Sequence, residues 1–210
     1  MARHGKTAYF RERIMKKSNF FAFISRMKYI NRWGLMRSTK EENVSEHSLD
    51  VAVIAHALSV IRKKRLNMDV NPERTALYAI YHDAAEIFTG DMPTPVKYYN
   101  SVIKSAYKEV ELSVNERLLN MLPDDFKDEF EDVLIPKENE KEIWKTIKAA
   151  DKISAYIKCI EEEKSGNKEF LKAKQSILNE IEKMNMPDVR IFMDEFLEGY
   201  GLTLDEMEMS

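Results

Sequence analysis

Apolar residues recur along most of this chain at intervals of three or four positions, which is the spacing of one face of an α-helix. The segment that begins near Val44 shows the pattern well, with apolar residues at Leu49, Ala52, Val53 and Val60. Strict alternation of apolar and polar residues, the mark of a half-buried strand, is convincing nowhere in the sequence. The pattern therefore predicts an all-α fold.

Start and stop signals divide this pattern into separate helices. Ser18 and Ser45 are candidate N-caps for the first two helices, and Asn71 precedes a proline and an acidic first turn at the start of the third. Gly90 would end this third helix. Helices are predicted at 19–31, from 44 onward, and at 71–88, 100–121, 123–132, 138–164, 167–184 and 187–198, with loops at 35–43 and at the proline-rich segment 91–95.

Length and charge narrow the class of protein. With 210 residues the chain is long enough to bury a core, and we expect residues 15–210 to form one domain. The 33 basic and 36 acidic residues leave a net charge of −3, which argues against a nucleic-acid polymer as partner. Residues 1–14 are basic and polar without a helical period, so we expect a disordered extension there; the alternative is a basic arm that binds an anionic partner.

Cysteine content and hydropathy predict a cytoplasmic protein. Cys159 is the one cysteine, so no internal disulfide can form, and we expect its side chain to be buried in a protein of a reducing compartment. No apolar run approaches the roughly 20 residues that cross a bilayer, and the basic N-terminal stretch lacks the apolar core of a signal peptide. We therefore expect no membrane association.

The candidate chemistry centres on a His-Asp doublet, His82-Asp83, in the third predicted helix. Imidazole nitrogen and carboxylate oxygen together suit a divalent metal ion. Glu86 follows His82 by four residues, so a continuous helix would place both on one face, one turn apart. The other interpretation of Glu86 is a solvated glutamate on a helix surface.

Further metal ligands would have to come from distant segments. His47 is the best remaining histidine because its neighbours are polar, whereas His56 lies among apolar residues and is predicted to be buried and structural. Asp151 could supply a second carboxylate, although an aspartate between alanine and lysine is often a surface residue. Mixed nitrogen and oxygen ligands do not select one metal, so Co²⁺, Mn²⁺, Mg²⁺ and Zn²⁺ all fit.

The order of these four residues, with 35 positions from His47 to His82 and 68 from Asp83 to Asp151, resembles the HD-domain superfamily of metal-dependent phosphohydrolases. Longer motifs look like those of the bacterial 5′-deoxynucleotidase family, and this resemblance covers the chain from residue 15 onward. The motifs are Asn31-Arg32-Trp33, Glu42-Asn43-Val44-Ser45-Glu46-His47-Ser48, Tyr81-His82-Asp83-Ala84-Ala85-Glu86 and Thr89-Gly90-Asp91-Met92-Pro93-Thr94-Pro95-Val96-Lys97.

The resemblance implies an HD-domain helical bundle that hydrolyses deoxyribonucleoside 5′-monophosphates to deoxyribonucleoside and phosphate. It implies one divalent metal ion, held by His47, His82, Asp83 and Asp151, with a metal-bound water as the attacking group. It also implies a homodimer, for which the aromatic residues of the C-terminal helix could supply apolar surface unless they belong to the core.

Individual roles follow from the same resemblance. Glu86 would bond the water or give a proton to the leaving O5′, and Arg32 offers a planar fork for phosphate oxygens; these two are the predicted catalytic residues. Trp33 would crowd the sugar 2′ position and Asp91 would accept a hydrogen bond from the 3′-OH, although an Arg-Trp pair at a helix end is often only a packing element. The predicted substrate contacts are Arg32, Trp33, His47, Asp83, Asp91, Met92, Pro93, Thr94 and Asp151. No base preference is indicated.

Two other functions stay open at this point. A triphosphohydrolase, pyrophosphohydrolase or phosphodiesterase of the same superfamily would usually carry extra metal ligands or a further basic cluster, and the chain has only four histidines. A helical binding protein without activity would have a structural His-Asp pair and would release no phosphate from any nucleotide.

Overall fold

The computed structural model describes residues 17–97 and 99–208, so the predicted N-terminal extension, residues 1–14, lies outside them. Eleven α-helices occur in the described part, joined by four short 3-10 helices. The α-helices are α1 (Phe20–Ile24), α2 (Val44–Arg65), α3 (Pro72–Tyr81), α4 (Glu86–Thr89), α5 (Thr94–Lys97), α6 (Ser101–Leu119), α7 (Lys127–Leu134), α8 (Lys141–Lys164), α9 (Leu171–Lys183), α10 (Pro187–Phe196) and α11 (Leu204–Glu208).

The all-α prediction is confirmed. Within the two described ranges, the extended pairing amounts to one isolated antiparallel bridge between Asn31 and Asn43. The first predicted helix is interrupted, because α1 passes into a 3-10 helix at Ser25–Tyr29. Ser18 lies one position before the N-cap and accepts a hydrogen bond from the backbone N–H of Phe20 at 3.2 Å, so the predicted cap was wrong by one residue.

The bundle is organised around α2, which packs against α3, α8 and α10. By length and composition this helix could cross a membrane, but 56% of its apolar 18-residue window is buried inside the protein, as expected for a central core helix. His56 is exposed on α2, so the prediction of a buried structural histidine was wrong. The reason is that it shares an outward face with Leu49 and Val53, which are also exposed. The predicted burial of Cys159 is confirmed.

A capping box fixes the start of α2. The side-chain oxygen of Asn43 accepts hydrogen bonds from the backbone N–H groups of Ser45 and Glu46, both at 3.0 Å, and the Glu46 carboxylate accepts one from the N–H of Asn43 at 3.2 Å. The predicted cap, Ser45, was therefore wrong, because it already lies inside the first helical turn. This box orients the turn that carries His47.

The predicted third helix, 71–88, is broken in the middle. Its start is as predicted, with the Asn71 side chain accepting from the N–H of Arg74 at 2.8 Å. However, α3 ends at Tyr81 and the chain makes a turn over 82–85 before α4 begins. The backbone N–H groups of Ala84 and Glu86 there reach back three residues instead of four, each over 2.9 Å.

Two hydrophobic clusters explain this break. Tyr78 and Ala79 belong to the larger cluster between α2, α3 and α8, whereas Ala84 belongs to a second cluster with Phe20 and Leu118. The chain turns between the residues of these two clusters. The His-Asp doublet lies at this junction.

The proline-rich segment 91–95 also differs from prediction. Thr94–Lys97 form the single turn α5, with Pro95 in the second position. Proline is tolerated in the first turn of a helix because the N–H groups there have no intrahelical partner. The prediction of a loop therefore holds only for 91–93.

Candidate active site

Three elements of the bundle bring the predicted metal ligands together. His47 in the first turn of α2, and His82 and Asp83 in the turn between α3 and α4, offer ligand atoms that all lie within 4.8 Å of one another. Asp151 of α8 is not one of these three, but its Oδ1 lies 3.1 Å from Nε2 of His47. The cluster could hold a metal ion.

The helix break is what lets both members of the doublet face this cluster. In a continuous helix, Asp83 would be rotated by about 100° from His82. In the observed turn, Asp83 Oδ2 lies 3.0 Å from Nε2 of His82 and 3.6 Å from Nε2 of His47. The prediction of one continuous helix through these residues was wrong. The turn instead directs the side chains of His82 and Asp83 toward the same point.

The protonation of His82 fits a metal site. Its Nδ1 lies 2.7 Å from the backbone oxygen of Ala79, which can only accept, so Nδ1 carries the proton. Nε2 is then the ring nitrogen that faces the Asp83 carboxylate and the one that could bind a metal ion. Among the described residues this buried nitrogen has no hydrogen-bond partner. A cation between these electron-rich atoms would satisfy both of them.

Positive groups around the cluster keep its carboxylates ionised. Burial by itself would raise the pKa of Asp83, but the neighbouring His82 outweighs it and lowers the pKa to about 2. Burial likewise opposes ionisation of Asp151, whereas its hydrogen bond with His47 holds its pKa well below the ordinary range. Both carboxylates are therefore available as anionic ligands at neutral pH.

Arg32 and Trp33 reach the site through the isolated bridge. The N–H of Arg32 donates to the backbone oxygen of Glu42 at 2.9 Å, which places residues 32 and 33 beside the start of α2. The guanidinium Nη1 of Arg32 lies 3.6 Å from Asp83 Oδ2. Its buried Nε has no hydrogen-bond partner within the described part of the chain, so the guanidinium retains donor capacity.

Trp33 has a backbone conformation that bulky side chains rarely adopt, with a φ of +59°. Two acidic side chains hold it: Asp91 Oδ2 accepts from its backbone N–H at 3.1 Å, and Glu42 Oε2 accepts from the indole Nε1–H at 2.7 Å. The ring also contacts Phe170 edge to face, with centroids 5.2 Å apart. The indole is therefore fixed in place.

Glu86 is the first residue of α4 and is buried, with 5% of its surface exposed. Its Oε2 has no hydrogen-bond partner among the described residues. Burial, followed by the nearby charges of Asp83 and Asp91, raises its pKa to about 9. The interpretation of Glu86 as a solvated surface glutamate is therefore excluded. Without a bound metal ion, this raised pKa favours the protonated carboxyl at neutral pH.

The remaining predicted contacts lie at the edge of the site. Met92 and Pro93 are partly exposed in the connection between α4 and α5, and Thr94 is exposed at the start of α5. No hydrogen bond within the described ranges joins Met92 or Thr94 to the metal cluster. Their predicted role as substrate contacts therefore stays a prediction.

Sequence reasoning assigned no role to Glu42 or Ser154, which lie behind His47. Glu42 Oε1 is 3.5 Å and Ser154 Oγ is 3.3 Å from Nδ1 of His47. Glu42 falls within a motif that carries the family resemblance, five positions before His47, and Ser154 follows Asp151 by three. The signal for Glu42 was its position in the motif, whereas Ser154 gave no signal beyond its helical spacing.

The fold and this constellation define the class of protein. An all-α bundle in which a His-Asp doublet faces a histidine and an aspartate from two other helices is an HD-domain phosphohydrolase. The HD-domain phosphohydrolase lin2634 from Listeria innocua is similar, with a TM-score of 0.74 and 26% identity, covering 90% of this chain and 92% of that chain. A cyanophage S-2L HD phosphohydrolase, bound to dA and one catalytic Zn²⁺ ion, shares the fold with a TM-score of 0.57 and 17% identity, covering 85% and 96% of the two chains.

Sequence comparison then gives the family. The family model for 5′-deoxynucleotidase YfbR-like proteins matches residues 19–200. The 5′-deoxynucleotidase of Vibrio atlanticus strain LGP32 is 47% identical over 193 residues, which are 92% of this chain and 100% of that protein. The chain belongs to the YfbR-like 5′-deoxynucleotidase family, and the resemblance drawn from its motifs is confirmed.

Proposed function

We propose that this protein is a metal-dependent 5′-deoxynucleotidase that converts deoxyribonucleoside 5′-monophosphates to deoxyribonucleoside and phosphate. The observation that carries the proposal is the convergence of three metal-ligand side chains with the guanidinium of Arg32 and the buried carboxyl of Glu86. A phosphate monoester is a dianion, so its hydrolysis needs cationic groups around the phosphate and a proton for the leaving oxygen.

His47, His82, Asp83 and Asp151 would hold one divalent cation, with Co²⁺, Mn²⁺ and Mg²⁺ as candidates and Zn²⁺ also compatible. When bound, such a cation polarises the P–O bonds and lowers the pKa of a coordinated water toward neutrality. The buried Nε2 of His82, which faces the Asp83 carboxylate, supports this assignment.

The substrate would lie between the ligand cluster and the segment around Trp33. Arg32 would bind phosphate oxygens through its free guanidinium hydrogens. The rigidly held indole of Trp33 would exclude a 2′-hydroxyl, and Asp91, which already fixes Trp33, would accept a hydrogen bond from the 3′-OH. Met92, Pro93 and Thr94 would form the wall beside the sugar.

Glu86 would serve as the general acid. Its carboxyl is buried, and burial raises its pKa, which favours the protonated form that can donate a proton to the leaving O5′ as the P–O bond breaks. An ionised glutamate could not do this. Arg32 remains charged throughout and would stabilise the negative charge that develops on the phosphoryl oxygens.

Phosphate release from a panel of deoxyribonucleoside and ribonucleoside monophosphates and deoxyribonucleoside triphosphates, each with several divalent metals, tests the proposal. We expect release from the deoxyribonucleoside monophosphates, slower release from their ribose counterparts, and none from triphosphates. Preferential cleavage of triphosphates or diesters would indicate another branch of the superfamily. A protein that binds no metal and releases no phosphate would be a binding protein instead.

We also propose a cytoplasmic homodimer. The outward face of α2 exposes Leu49 and Val53, and Phe196 and Leu204 are exposed as well, while Phe192 lies in the core. Val53 and Tyr200 line one cleft, so the two apolar regions are adjacent. A charged substitution such as Val53→Glu should shift the molar mass in light scattering from two chains to one; a wild-type monomer would contradict the dimer.

A further inference from the structure

One partly buried carboxylate, Glu42, contacts three residues of the candidate site. Its side chain is 12% exposed and its two oxygens point in different directions. Oε1 lies 3.5 Å from Nδ1 of His47, whereas Oε2 accepts the indole hydrogen of Trp33 at 2.7 Å and lies 3.7 Å from Nε of Arg32.

These contacts lie behind the reacting region rather than in it. His47 turns Nε2 toward Asp83 and Asp151, so Nδ1 faces away from the ligand cluster, toward Ser154 Oγ at 3.3 Å and Glu42 Oε1 at 3.5 Å. A carboxylate behind a metal-ligating histidine fixes the orientation and tautomer of its ring and makes it a better ligand. The same carboxylate accepts the indole hydrogen of Trp33 at 2.7 Å.

We infer that Glu42 is a positioning residue that couples the metal site to sugar selection, by holding His47 with one carboxylate oxygen and Trp33 with the other. The inferred effect of Glu42 on sugar selection rests on the proposed function. Its inferred effect on metal binding does not, because cation affinity can be measured without any nucleotide.

The bridge between residues 31 and 43 gives Glu42 the rigidity that such a role needs. The backbone oxygen of Glu42 accepts from the N–H of Arg32, so backbone and side chain bind the same segment from both sides. Asn43, the next residue, is the N-cap of α2. Glu42 is therefore fixed between the segment that carries Trp33 and the helix that carries His47.

Two variants of Glu42 separate the effect of its charge from the effect of its shape. Glu41 is an exposed neighbouring residue, so Glu41→Ala is the matched control. Glu42→Gln retains the shape and an oxygen that can accept from the indole, but removes the negative charge near His47 and Arg32. Glu42→Ala removes both contacts. Mn²⁺ affinity of the metal-free proteins would be measured by calorimetry, and the ratio of kcat/KM for dAMP over AMP by phosphate release.

We expect Glu42→Gln and Glu42→Ala to weaken Mn²⁺ binding by about 10- to 100-fold, the usual cost of losing the group behind a metal-ligating histidine. The dAMP/AMP ratio should fall most in Glu42→Ala. In a Trp33→Phe background, which lacks the indole N–H, adding Glu42→Ala should lower the ratio no further while still weakening Mn²⁺ binding.

Mn²⁺ affinity and dAMP/AMP ratios equal to those of Glu41→Ala would overturn the inference, even if the melting temperature fell, because Glu42 would then be only structural. If Glu42→Ala weakened Mn²⁺ binding but also lowered the dAMP/AMP ratio further in the Trp33→Phe background, the coupling between the metal site and sugar selection would be overturned. If the wild type cleaves no deoxyribonucleotide, the proposed function fails, and the Mn²⁺ comparison still decides whether Glu42 positions His47.

Discussion

At the scale of single residues, Trp33 has a left-handed backbone, with a φ of +59°, next to the candidate phosphate-binding Arg32. A bulky residue with positive φ is disfavoured locally and occurs only where tertiary contacts hold it. Those contacts come from Glu42 and Asp91, which are 9 and 58 positions away.

Replacing Trp33 by alanine or by glycine separates the effect of its backbone conformation on stability from the effect of its indole ring on sugar selection. Both variants lose the indole, so both should narrow the gap between dAMP and AMP in kcat/KM. Glycine adopts a φ near +59° without strain, so Trp33→Gly should be more stable than Trp33→Ala by about 1 kcal/mol. Thermal unfolding and phosphate release measure the two effects. An unchanged dAMP/AMP ratio in both variants would mean that sugar selection lies elsewhere.

Glu86→Gln should lose most turnover while still binding metal, because the amide cannot supply the proton. It should also change how stability depends on pH. Since the folded pKa of Glu86, about 9, lies above its ordinary 4.5, the metal-free folded protein retains a proton that the unfolded chain releases. As the pH rises from about 5 to about 9, the free energy of unfolding of the wild type should therefore fall relative to that of Glu86→Gln.

Melting temperatures in the presence of a chelator measure this trend, with the exposed Glu109→Gln as the baseline. Each 1 kcal/mol corresponds to roughly 2–4 °C for a chain of this size. A difference in melting temperature between Glu86→Gln and the wild type that stayed constant over this pH range would contradict a protonated Glu86 in the metal-free protein.

At the scale of elements, the starts of α1, α2 and α3 were predicted to within one residue, although two of their N-caps were wrong, whereas the helix interruption after Tyr81 was missed. Asn71 and the following proline marked the start of α3 correctly, because capping is a local interaction. The break after Tyr81 was missed because the residues at 82–86 include no glycine or proline. It arises from burial of Ala84 in a separate hydrophobic cluster, which is a tertiary effect.

The N-cap of α2 should matter for the metal site as well as for stability. Asn43→Ala removes the capping box and should cost about 0.5–2 kcal/mol. Because His47 lies in that first turn, Mn²⁺ affinity should fall too. Asn100→Ala is the matched control, since Asn100 caps α6 by accepting from the N–H of Ile103. A fall in metal affinity of equal size in both variants would contradict a specific role for the α2 cap.

At the scale of the whole molecule, the candidate site exists because distant segments are held together. The order and spacing of residues in the sequence indicated four candidate ligands, and the structure places these residues on α2, α8 and the turn after α3. Their mutual distances could not be predicted, because they depend on how α2 packs against α3 and α8. The role of Glu42 likewise appears only once the bridge aligns residues 31 and 43.

A buried ion pair links α2 to α10 and should support this packing. Arg62 Nε donates to Asp188 Oδ2 at 2.8 Å, and both side chains are almost wholly buried. Asp188→Ala leaves a buried positive charge and should destabilise the fold by about 3–5 kcal/mol. The exposed pair of Arg190 and Asp194 gives the control, because Asp194→Ala should cost no more than about 1 kcal/mol. Urea unfolding measures both, and equal effects would contradict the buried link.

The proposed activity depends on one catalytic metal ion held by His47, His82, Asp83 and Asp151. Stepwise addition of Co²⁺ to the metal-stripped protein, with phosphate release from dAMP measured at each step, tests it most directly. We expect negligible phosphate release without metal, a linear rise as Co²⁺ is added, and a break at one Co²⁺ per chain. A break at two ions per chain, or full activity in the presence of a chelator, would contradict it.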